Sequence, residues 1–221
     1  LTALSNGKIL IAGGASAYDD IYSPTLANAL SSAYLFDPAD NSFTATGSLI
    51  TARVGHKAVY LPDLDKVLVA GGFISSGATT ATAEIYDVAT GTWSSAGSIT
   101  NGQRIAHTLT YIPSLSKVLL VGGSDDNTCA DAISELYDPV ANTWTNTTGA
   151  PNKRFQYHDA ILLDDGNVLV GGGQAQSTGR CTPPTPGGHV FFSLFNPVTQ
   201  TWAAATSAPT VYWSGKLHKL T

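Results

Sequence analysis

The side chains of this sequence best suited to chemistry recur at a fixed spacing. Arg53 stands with His56, Arg104 with His107 and Arg154 with His158, while Lys216 with His218 is a degraded fourth copy. Imidazoles at His56, His107, His158 and His218, if gathered near one point, could bind a transition metal. Their competing use is a hydrogen bond to neighbouring backbone. The arginines are forked donors, suited to main-chain carbonyls or to a carboxylate. In the third copy a tyrosine precedes the histidine, giving Tyr157-His158, with one extra residue between Arg154 and the pair. Asp125, Asp126 and Asn127 supply oxygen ligands of the kind calcium takes, although a solvated loop is the plainer use. No Ser-His-Asp spacing, phosphate loop or carboxylate pair stands out.

The elements that position these groups are written four times. An apolar run ends in glycines at Lys8–Gly14, Lys66–Gly72, Lys117–Gly123 and Asn167–Gly173, and the second glycines are 58, 51 and 50 residues apart. An aromatic with an acid or amide follows each run, at Phe36-Asp37, Tyr86-Asp87, Tyr137-Asp138 and Phe195-Asn196. Six residues later comes Phe43, Trp93, Trp144 or Trp202. Such a period points to an array of small β units. Each repeat reads as four strands: one from the histidine (His56–Leu61), the glycine-pair strand, the aromatic-Asp strand (Ala83–Asp87) and the tryptophan strand. Short turns separate the first two and the last two, so neighbours pair antiparallel.

Composition sets limits. The 221 residues are 43% hydrophobic and 12% charged, with 22 glycines, which suits an extracellular all-β protein. A formal net charge of −5 leaves no basic footprint for nucleic acid, and no apolar run is long enough to span a bilayer. With neither a signal peptide nor any methionine, Leu1 is expected to be a processed end or the edge of a longer chain. Cys129 and Cys181 lie at similar places in repeats three and four; a disulfide joining neighbouring loops is expected, with two buried thiols as the alternative. Asn146-Thr147-Thr148 is the one N-glycosylation sequon.

Gly-Gly, Tyr-Asp, Trp and Arg-x-x-His, in this order and phase, resemble the kelch repeat over nearly the whole chain. The resemblance implies an all-β, kelch-type β-propeller with four four-stranded antiparallel blades, histidine strands innermost and tryptophan strands outermost. The blades fall at about 1–50, 51–101, 102–151 and 152–215, with 216–221 starting a closing or following strand. Arg154-Phe155-Gln156-Tyr157-His158 also resembles the Tyr-His segment of galactose oxidase-like copper radical oxidases. That resemblance implies Tyr157 and His158 as copper ligands. The second tyrosine, its cysteine crosslink and the further histidine of that family have no match here.

Strand parity places the histidines, the blade links and the loops after the glycine pairs on one face. From second glycine to Asp or Asn is 23 residues in repeats one and four, but 15 in repeats two and three. The long loops, 15–32 and 174–190, carry Tyr18, Asp19, Asp20, Tyr22, Arg180 and His189, the expected binding residues. The expected function is a non-catalytic extracellular scaffold, without cofactor, that binds protein or glycan. The four repeats could close a ring, form part of a larger propeller, or associate head to tail through His218–Thr221.

Overall fold

The computed structural model describes residues 1–16, 28–124, 132–151, 154–176 and 190–208. The chain forms two compact units, Leu1–Ile105 and Ala106–Thr221. Among the described residues there is no α-helix, and each unit holds two four-stranded antiparallel sheets.

In the first unit one sheet is β1 (Thr2–Ala3), β2 (Ile9–Ala12), β3 (Ala33–Asp37) and β4 (Ser42–Thr46), in that order. Next come β5 (Arg53–Val54), β6 (Lys57–Leu61), β7 (Lys66–Ala70), β8 (Phe73–Ile74), β9 (Thr82–Asp87) and β10 (Thr92–Ser98). β6-β7-β9-β10 form the second sheet, and β5 pairs with β8 in a separate ribbon. The second unit repeats the plan. β11 (Thr108–Ile112), β12 (Lys117–Val121), β13 (Ser134–Asp138) and β14 (Thr143–Asn146) make one sheet. After them come β15 (Arg154–Gln156), β16 (Asp159–Leu162), β17 (Val168–Gly171), β18 (Gln174–Gln176), β19 (Val190–Asn196) and β20 (Thr201–Ala208). β16-β17-β19-β20 form the other sheet, and β15 pairs with β18.

The glycine-pair strand is continuously apolar because it lies inside its sheet and is covered on both faces. Val67–Ala70 of β7 and Val118–Val121 of β12 have no exposed surface. The aromatics share one register: Phe36 opposes Phe43, Tyr86 opposes Trp93, Tyr137 opposes Trp144 and Phe195 opposes Trp202. Their ring centroids lie 4.9–5.1 Å apart, tilted, as favourable aromatic pairs do. Two indoles also bolt their sheet to the preceding one. Trp93 Nε1 donates to Gly47 O at 2.7 Å and Trp202 Nε1 to Ser134 Oγ at 2.9 Å. Phe43, which has no N–H to donate, is 63% exposed.

The acids close the outer turns as their side-chain chemistry dictates. Asp37 accepts the Ala39 amide, Asp87 that of Thr90, and Asp138 those of Val140 and Ala141. These amide bonds come first in holding all three carboxyls below their ordinary value. Lys8, Lys66 and Lys117 add ion pairs to them at 3.1–3.4 Å. In repeat four both partners are neutral, Asn167 and Asn196, and Asn196 Oδ1 still accepts the amides of Val198 and Thr199.

One boundary differs from expectation. The first strands begin just after the histidines, at Lys57, Thr108 and Asp159, and in repeats two and four the link before the histidine has its own pairing, β5 with β8 and β15 with β18.

Candidate functional site

At the glycine end of the first three sheets, the glycine pair is tied through the main chain to the link that follows. The second glycine donates its amide to a carbonyl in the next link: Gly14 to Arg53 O at 2.9 Å, Gly72 to Arg104 O at 2.9 Å and Gly123 to Phe155 O at 2.7 Å. A Cβ on Gly13 would stand 2.6 Å from Arg53 O and 3.0 Å from His56 Cε1. One on Gly122 would stand 2.3 Å from Phe155 O and 3.0 Å from His158 Cε1. The first glycine, at positive φ in both places, thus leaves room for the joint, and the histidine ring covers it.

Arg53 fills the space behind its joint. Its side chain is fully buried, with Nη1 donating to Gly71 O and Thr82 O at 2.9 Å. Nη2 donates to Glu84 Oε1 at 2.7 Å, and Glu84 also accepts the amides of Ile50 at 2.7 Å and Thr51 at 3.0 Å. A buried pair whose oxygens are so fully hydrogen-bonded offsets much of its desolvation cost. In the sequence Arg104 and Glu135 stand in the same phase, again 31 residues apart, and each is buried. Sequence reasoning gave the arginines carbonyl partners but missed the glutamates. The available signal was the glutamate two residues before each Tyr-Asp, in constant phase with the arginine.

Repeat four corrects the reading of Arg154 as the third member of this series. The joint carbonyl belongs to Phe155, and Phe155 opposes Ala175 as Arg53 opposes Ile74, each two residues past the glycine pair. The extra residue in Arg154-Phe155-Gln156-Tyr157-His158 moves arginine out of register and seats phenylalanine there. Phe155 is fully buried within an apolar cluster that includes Val168, Val170 and Phe195. The strand position of Glu84 and Glu135, opposite Val69 and Leu120, is Ser193 in repeat four, opposite Val170 and fully buried. Cation and carboxylate have been replaced together.

The same register places Tyr157 where repeat two has Gly55 and repeat three Ala106, and all three have positive φ, 54°, 69° and 54° respectively. A tyrosine there is strained. Its amide donates to Ala106 O at 3.1 Å. His158 is buried, with Nε2 3.1 Å from Thr108 Oγ1 and its ring 5.4 Å from that of Phe155. His56 and His158 therefore sit at the joints that Gly13 and Gly122 leave room for. Copper on His158 Nε2 would have to displace the Thr108 bond, so this nitrogen as it stands does not fit a copper ligand. Burial, with Arg53 adding, lowers the His56 pKa from 6.5 to about 4, so its imidazole is neutral at pH 7. Among the described residues no group of three or more His, Cys, Asp or Glu is placed to hold a metal.

Tyr18, Asp19, Asp20, Tyr22, Arg180, His189, Cys129, Cys181, His218 and the Asp125–Asn127 segment lie outside the described residues. The base of the first long loop lies within them. Leu30 N–H donates to Gly14 O, Arg53 N–H to Leu30 O and Leu49 N–H to Ser31 O. Repeat two makes the same three bonds: Thr80 to Gly72, Arg104 to Thr80 and Ile99 to Ala81. The loop of repeat one is eight residues longer, inserted into an unchanged frame. Asn146 is exposed at the end of β14.

Residues 52–99 match the family model described as the Kelch motif. Repeat two is a kelch repeat, and the four-stranded antiparallel sheets are consistent with a kelch-type propeller. No curated protein matches the chain. No helix among the described residues is long and apolar enough to cross a membrane.

Proposed function

We propose that this chain is a non-catalytic binding scaffold acting outside the cell, taking a protein or glycan on the loops that follow its glycine pairs. One observation carries the reading. The backbone frame at the loop base is the same in repeats one and two, while the loop it holds differs by eight residues. Variable length on a rigid frame is how binding loops are built. The test is to remove eight residues from within 17–27 and to screen the variant and the parent chain on protein and glycan arrays. Binding is expected to fall with the thermal midpoint unchanged. Binding that survives shortening of both long loops would refute the reading.

Head-to-tail association through His218–Thr221 is a further part of this proposal. Trimming those residues should abolish any polymer and leave repeats two and three folded. The alternative, a copper radical oxidase using Tyr157 and His158, is separated by metal analysis after copper reconstitution and by assay of peroxide with alcohols and aldehydes. The scaffold reading expects neither copper nor peroxide.

A further inference from the structure

We propose that copies of this chain stack sheet on sheet, the Phe36–Phe43 face of the β1–β4 sheet of one copy seating on the Leu169–Leu194 face of the β16-β17-β19-β20 sheet of the next. The inference rests on the head-to-tail association proposed above and names the surfaces that meet. Side chains alternate along a strand, so each sheet has a face that carries its aromatic pair and a plain face behind it. Inside each unit the aromatic face of one sheet packs on the plain face of the sheet before it. Val67, Val69 and Tyr86 meet Leu10 and Ala33, and Val168, Val170 and Phe195 meet Leu119 and Leu136. All of these side chains are buried, as are Val118, Leu120 and Tyr137 on a third aromatic face and Leu68, Ala83 and Ile85 on a third plain face.

One face of each kind is left. On the β1–β4 sheet Ile9, Ile11 and Phe36 are only half-buried, Tyr34 and Phe43 are 43% and 63% exposed, and Ala45 is exposed. On the β16-β17-β19-β20 sheet Ile161, Leu169 and Leu194 are half-buried and Ala203 is exposed. Each follows the register of a face that is seated elsewhere in the chain. Ile9, Phe36 and Phe43 align across their strands as Val67, Tyr86 and Trp93 do. Leu169 opposes Leu194 as Leu119 opposes Leu136 and Leu10 opposes Leu35. The two faces therefore fit each other as the buried pairs do. Tyr34 stands opposite Ile11, where repeat two has Glu84 opposite Val69. A tyrosine needs no buried cation and can keep its hydroxyl at the rim. An aromatic, charge-free patch has the composition of an interface core. Because the two faces differ, the contact repeats from copy to copy.

The test is sedimentation velocity of the full chain over a range of concentrations, with two variants. Phe43→Lys charges the first face and Ala203→Lys the second, and both positions are exposed. An unpaired lysine buried in an apolar contact is costly. The parent chain is expected to form species larger than a dimer as concentration rises, and each variant alone to stay a monomer. Mixed in equal amounts, the two variants should form a dimer and nothing larger, because each supplies the face the other lacks. Ala45→Lys, at an exposed alanine of the first face, should behave as Phe43→Lys does. A parent chain that stays monomeric at every concentration overturns the proposal. So does a dimer of the Ala203→Lys chain with itself, which would set two aromatic faces against each other. A mixture that stays monomeric while both variants keep the parent's thermal midpoint overturns it as well. Loss of polymer on trimming His218–Thr221, with full association of both lysine variants, would refute these faces and keep the tail. Shortened loops should leave association unchanged, so the loop reading fails separately.

Discussion

Repeats two and four solve one packing problem with opposite chemistry. In repeat two the position behind the joint holds Arg53 against Glu84, an ion pair at 2.7 Å with almost no exposed surface. In repeat four the same positions hold Phe155 and Ser193. The outer turn shows the same exchange, with Lys66 and Asp87 in one repeat and Asn167 and Asn196 in the other. The glycine-to-carbonyl bond is common to both, at 2.9 Å for Gly14 to Arg53 and 2.7 Å for Gly123 to Phe155. The position is thus defined by the backbone joint, and the side chain that fills it is free to change if its partner changes too. Replacing a buried ion pair by apolar residues is often close to neutral, whereas removing one partner is costly.

That asymmetry sets the largest expected effect. Glu84→Ala should cost about 3–5 kcal/mol in denaturant unfolding, because Arg53 is left buried as an uncompensated cation. Ser193→Ala in repeat four should cost no more than about 1 kcal/mol. Equal costs at the two sites would erase the contrast. Phe155→Ala should cost about 3–5 kcal/mol through the cavity it leaves; a loss below about 1 kcal/mol would mean that Phe155 does not fill the position.

A pH series probes the joint itself. The unfolded chain protonates His56 near 6.5, and the folded chain resists until about 4. Between these values the unfolded state binds more protons, so stability should fall as pH drops from 6.5 towards 4, by up to about 3 kcal/mol. The lowered aspartates Asp37, Asp87, Asp138 and Asp165 act with the same sign but only from about pH 5 downward, so the upper part of the window belongs to the histidine. His56→Gln should flatten the profile between pH 6.5 and 4, and an unchanged slope would place the titrating group elsewhere. A small effect of opposite sign belongs to the strained position: Tyr157→Gly should raise stability by about 1 kcal/mol, measured by chemical unfolding.

The strand plan was legible because its markers repeat in phase: the apolar run before the glycines, the turn acid and the aromatic six residues on. Faces followed from strand parity. The Arg53–Glu84 pair was missed, because its members stand on different strands 31 residues apart and only the constant phase of glutamate with arginine across two repeats, no local pattern, links them. Arg154 misled for a related reason. Residue type suggested equivalence, but one inserted residue shifts the register by one position, and residue type alone does not reveal that. The three-residue spacing back from His158 to Phe155 holds the correct alignment, as it does from His56 to Arg53.

A double-mutant cycle on Arg53→Phe and Glu84→Ser, which writes repeat four into repeat two, tests most directly whether the joint defines the position. Each single change should strand a buried partner, and the double variant should be less destabilised than the sum of the two by about 2 kcal/mol or more in denaturant unfolding. Additive losses would contradict the account, since the two residues would then not be exchanged as a unit.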